Sequence, residues 1–201
     1  MSNSIENNKR IAKNTLLLYF RMFFMMIVSL YTSRIVLSTL GIEDFGIYNV
    51  VGGVVSMFSF LNGAMATSTQ RYLTFELGKE GNVDQMRKVF NASIIIHALI
   101  SIFILILAET VGMWFIYSYM TIPDSRMDAA LWVYQFSILS MIVLVMSVPY
   151  NACIIAHERM KVFAYISVLE VILKLLIVYI LVLGDIDKLK LYAVLIFCVQ
   201  L

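Results

Sequence analysis

Apolar side chains run along this chain in long unbroken stretches, separated by short groups of charged and turn-forming residues. A helix needs about 20 mostly apolar residues to cross a hydrocarbon core about 30 Å thick. Six stretches are candidates: residues 15–37, 46–66, 89–114, 129–150, 162–183 and 189–201. Their continuity, without polar alternation, predicts transmembrane helices rather than barrel strands. Residues 1–14 are expected to form a cytoplasmic N-terminus. The last stretch holds 13 residues, about 20 Å of helix at 1.5 Å per residue. It ends in "VLIFCVQL" with no cap or anchoring charge, so the expectation is the N-terminal part of a longer protein, cut inside its sixth span.

Composition moves the reading from a soluble domain to a polytopic all-α membrane protein. The 201 residues are 61% apolar and 14% charged, with a mean hydropathy of +0.88; globular domains run about 45–50% apolar and about 25% charged. A net charge of +2, without a basic stripe, argues against nucleic acid as a partner. Cys153 and Cys198 are too few for a disulfide framework or a thiolate metal site. Lys and Arg in the connections set the orientation. Lys9, Arg10, Lys13, Arg71, Lys79, Arg87, Lys88, Arg159 and Lys161 fall on one side, nine against the three of Arg126, Lys188 and Lys190. That asymmetry predicts a cytoplasmic N-terminus. Arg21 and Arg34 interrupt the first apolar stretch and no small-residue cleavage site follows, so it reads as a retained span and not a signal peptide.

Polar residues inside spans mark candidate functional positions when they face the bundle interior. The second span carries Asn49, Gly52, Gly53, Ser56, Ser59 and Gly63, within about 120° of arc at 100° per residue. Such a stripe serves either close helix packing or a hydrated cavity. Ser137, Ser140, Ser147 and Asn151 of the fourth span fall within about 80° by the same arithmetic, with Pro149 near one end as a place for a bend. The third span aligns Ser93, His97 and Ser101; His97 is expected to bond a neighbouring helix or, less simply, to relay protons. Glu170 and Lys174 lie four residues apart in the fifth span, in the favourable order for a helical pair. They either neutralise one another or face a lumen where substrate anions or protons compete for them. Arg21 either snorkels to the headgroups or turns inward, where a guanidinium suits phosphate. The candidate cavity residues are therefore Arg21, Asn49, Ser56, His97, Glu170 and Lys174. Arg34 and Glu109 lie nearer the outer interface. No phosphate-binding loop, zinc-protease pair or serine-nucleophile elbow occurs, so no enzyme, metal site or cofactor is expected. A coupling H⁺ or Na⁺ stays open.

Residues 40–48, LGIEDFGIY, resemble the "LGxxxFGxY" connection between the first two spans of polysaccharide flippases. "MATSTQRYLTFELGKE" at 65–80 is similar to the cytoplasmic exit of their second span, and "KRIAKNTLLLYF" at 9–20 to their basic opening. These are Wzx-type O-antigen and capsule exporters of the multidrug/oligosaccharidyl-lipid/polysaccharide superfamily, which also holds the MATE antiporters. The resemblance implies the N-terminal six-helix lobe of a MATE-like two-lobed transporter in the bacterial inner membrane. It implies a lipid-linked oligosaccharide as cargo, a cationic cavity for the pyrophosphate, and contact with polysaccharide polymerase or assembly proteins. Arg21 loosely matches members with a basic residue in the first span. A cation-coupled multidrug antiporter is the alternative within the superfamily. A non-transporting membrane fragment or scaffold is the alternative outside it.

Overall fold

The computed structural model describes residues 2–79, 83–183 and 187–201. Met1, residues 80–82 and 184–186, and the side chains of residues 2–11, Lys13, Asn14 and Leu61 lie outside the described set. Lys9, Arg10 and Lys13 of the charge count and Glu80 of the second motif are among them. The described residues form an all-α structure without strands. The helices are α1 (Ser2–Ser56), α2 (Ser59–Gly78), α3 (Val83–Leu107), α4 (Met113–Tyr119), α5 (Met127–Ala156), α6 (Met160–Leu183) and α7 (Lys188–Gln200). The segment expected as a cytoplasmic N-terminus is helical from Ser2.

Helix α1 contains the first expected span and half of the second, because its direction changes at Gly41. That residue has φ 81° and ψ 170°, a region open essentially to glycine alone. Met25 and Asn49 line the same cavity, although the same stretch of straight helix would part them by about 36 Å. The two arms of α1 therefore double back, and the resemblance motif around Gly41 is a hairpin between helices.

The expected span 46–66 is divided, residues 46–56 ending α1 and 59–66 starting α2. Phe58 N–H bonds the carbonyl of Val55, three residues back, which tightens the last turn of α1. The Ser56 hydroxyl adds a 2.8 Å bond to the carbonyl of Gly53. Glycine and serine together are a common cause of such breaks.

Helix α5 is the centre of the bundle. Its Val133, Tyr134, Ile138, Met141 and Val145 are buried together with Ile47, Val51 and Val55 of the second arm of α1 and with Ile104 and Ala108 from the third pass. A helix apolar on every face must be enclosed by other helices or by lipid. Pro149 is accommodated inside α5, which runs on to Ala156. A second apolar seam joins Val36 of α1 to Ile177, Val178 and Leu181 of α6 and Tyr192 of α7. On α3, by contrast, Ile95, Leu99, Ile102, Phe103 and Ile106 point outward, as a face toward lipid requires.

A π-helical turn at Ala108–Gly112 links α3 to α4. The Ala108 carbonyl accepts both Met113 N–H and the Tyr134 hydroxyl, the latter at 2.7 Å. Gly112 permits that approach, since a Cβ there would collide with the Tyr134 hydroxyl.

Among the described residues, four helical segments are long and apolar enough to cross a membrane: Thr15–Ser56, Val83–Tyr119, Asp124–Ala156 and Met160–Leu183. The first of them contains the reversal at Gly41. The divided stretch 46–66 and the 13-residue α7 account for the difference from six expected spans.

Candidate functional site

Among the described residues three cavities border α7, and the polar faces of the second, fourth and fifth expected spans line them. The first, about 210 Å³, lies between the second arm of α1, α5 and α7; Gly52, Ser56 and Ser59 meet Ser137 and Ser140 across it. The second, about 310 Å³, lies between both arms of α1, α6 and α7, and is lined by Ser29, Thr32, Ser33, Asn49, Lys174 and the two tyrosines Tyr48 and Tyr192, among others. The third, about 300 Å³, lies between α5, α6 and α7, and brings Glu170 to Ser147, Asn151 and Gln200. The small-residue stripe of the second span therefore borders space as well as a packing seam.

Glu170 and Lys174 meet at 2.6 Å. The pair is neither buried nor free: the side chains keep 37% and 36% of their exposure. It stands at the partition between two cavities, Lys174 toward the second and Glu170 toward the third. Asn49 Nδ2 donates to the carbonyl of Phe45 at 2.7 Å, which leaves its carbonyl oxygen for the second cavity. The Thr32 hydroxyl in the same wall is enclosed and has no partner among the described residues.

Arg21 takes a position that neither sequence reading described. It lies in the seam between α1 and α6, with Nη1 donating to Ser167 Oγ at 3.1 Å and the guanidinium 4.4 Å from the Phe163 ring centroid. Such a cation–π contact compensates part of the lost hydration. Its Nε is enclosed without an acceptor among the described residues. Met25, one turn further along α1, already lines the second cavity, so Arg21 sits beside that cavity's end rather than within its wall.

His97 lies apart from all three cavities. It is fully buried, and its Nδ1–H donates 2.7 Å to the carbonyl of Ser93 on its own helix. The expected bond to a neighbouring helix is absent, because the ring folds back over the preceding turn. Its Nε2 and the Ser101 hydroxyl are buried without partners among the described residues.

The sequence reading missed a charged cluster at the end of the bundle where the Gly41 hairpin lies. Arg126, in the short 3₁₀ turn Asp124–Arg126, grips two carboxylates. Nε donates to Asp44 at 2.8 Å, Nη2 completes a fork on the same group, and Nη1 reaches Asp187 at 3.2 Å. Asp187 also caps α7 by accepting Leu189 N–H at 3.1 Å. Lys190 pairs with Asp128 beside it and lies 5.8 Å from the Trp132 ring centroid. The usable sequence signal was that Asp44, Arg126 and Asp187 all fall in connections on the side with fewer cations. Glu109, rated lower from sequence, accepts from Gln135 at 3.3 Å.

On α2, Gln70 and Arg71 of the exit motif line an outward groove with Thr67 and Thr74, while Thr69 faces inward and is buried.

Comparison with known families matches residues 18–180 to the MatE family. Neither curated proteins nor solved structures provide a match.

Proposed function

The chain belongs to the MatE family, whose members are membrane transporters, and from that premise we propose that it serves to flip undecaprenyl-pyrophosphate-linked oligosaccharide across the bacterial inner membrane for surface polysaccharide. The observation that carries the reading is Lys174, the one charged side chain lining the second cavity among the described residues, set among hydroxyls and Asn49. An ammonium with rotatable donors, surrounded by Ser and Thr, suits a diphosphate and the sugar hydroxyls next to it. Arg21, held on α6 next to that cavity, adds a second positive charge along the same seam. The motifs at 40–48 and 65–80 support the same reading.

A drug antiporter of the same family is favoured by one feature, the carboxylate of Glu170 in the third cavity, where a cation would sit. The test is to place Lys174→Gln in the chromosomal gene of the source bacterium. The flippase reading expects surface polysaccharide to fall at least about tenfold, the scale of a lost charge-assisted contact, at unchanged protein level and with drug susceptibility unaltered. Intact polysaccharide with altered drug tolerance would establish the antiporter instead.

A further inference from the structure

We infer that Glu170 is an internal competitor for Lys174: its carboxylate occupies the ammonium that an anionic headgroup needs, and keeps binding weak enough for release. The inference rests on the anionic-cargo reading of the second cavity and adds to it the residue that tunes affinity there.

Three observations carry it. The contact is single and local, 2.6 Å between residues four apart on α6, so the lysine can rotate away without moving a helix. An ammonium has three donors, and Glu170 engages one of them. The pair also straddles a partition, with the cation lining one cavity and the carboxylate lining the other. A ligand entering the second cavity therefore meets a positive charge whose field is largely cancelled from behind. The ion cluster at Arg126 is built differently: its guanidinium is forked onto Asp44 and tied to Asp187, on elements 82 and 61 residues away, a geometry suited to permanence. A carrier needs binding that is favourable on entry yet weak enough to let the cargo leave. A tethered carboxylate next to the binding cation meets both needs.

The test uses the full chain in lipid nanodiscs, titrated calorimetrically with farnesyl diphosphate and, separately, with inorganic pyrophosphate. Glu170→Gln is expected to tighten binding about fivefold at low salt, the scale of a half-exposed ion pair, with the gain shrinking at high salt as screening grows. Lys174→Gln is expected to abolish it. Exchanging the two residues (Glu170→Lys with Lys174→Glu) preserves the pair but moves the cation to the third cavity. That protein is expected to fold and to lose binding, which a merely structural pair would not do. A stronger response to the prenyl diphosphate supports a lipid headgroup as the source of the anion, and an equal response supports a free anion.

Binding that vanishes in Lys174→Gln but is unchanged or weaker in Glu170→Gln overturns the competitor role alone. If neither probe binds the parent or Glu170→Gln, the anionic-cargo reading itself fails, and this inference with it.

Discussion

Arg126 holds two acidic side chains with the planar fork that distinguishes guanidinium from ammonium. Asp44 and Asp187 come from different elements, so this one residue ties the α1 hairpin to the cap of α7. Replacing it with lysine keeps the charge but removes the simultaneous fork. We expect Arg126→Lys to destabilise the protein by about 1–3 kcal/mol, the range for hydrogen bonds to charged groups. Thermal unfolding in detergent would show it, and an unchanged Tm would mean the cluster bears no stability. Gly112 makes a second residue-scale case. Its missing side chain admits the Tyr134 hydroxyl to the Ala108 carbonyl. Gly112→Ala should displace that hydroxyl and cost about 1–3 kcal/mol through overpacking, while Tyr134→Phe in the same background should recover part of the loss. No recovery would place the strain elsewhere.

Among the elements, the α1 hairpin shows why two glycines in one motif are not equivalent. Gly41 adopts a positive φ that a side chain resists, whereas Gly46 is helical with open space around its Cα. Gly41→Ala should therefore cost about 1–3 kcal/mol. Gly46→Ala should be neutral or slightly stabilising, because alanine is favoured over glycine in a helix by about 1 kcal/mol. Measured side by side as Tm in detergent, the reverse order would contradict this account of the turn. The divided second pass is also local in origin, since Gly53, Ser56 and the tight three-residue bond at Phe58 end α1 beside the first cavity.

For the whole molecule, the connections at 120–126 and 157–159 fall at opposite ends of α5. From the nine-to-three distribution of Lys and Arg we propose that the second faces the cytoplasm. Single cysteines at Asp124 and Arg159, with Cys153 and Cys198 replaced, offer a direct check using a membrane-impermeant maleimide on intact cells. Label at 124 and none at 159 is the expected pattern; the opposite pattern would invert the protein in the membrane.

The class of the protein and the positions of its apolar stretches follow from the sequence alone, because partition into hydrocarbon depends on runs of about 20 residues. The polar stripes at 49–63 and 137–151 were legible for a similar reason: a helix repeats every 3.6 residues, so one face can be read without knowing its partner. The Glu170–Lys174 pair is likewise a local, four-residue relation. Tertiary structure decided the rest. Arg21 meets Ser167 across 146 residues, and Arg126 meets Asp44 across 82; such pairings depend on how each helix is rotated and which neighbour it crosses. His97 is fully buried yet bonds the Ser93 carbonyl of its own helix, a partner its polar face alone did not specify. Periodicity specifies what a helix offers, and only packing specifies to whom.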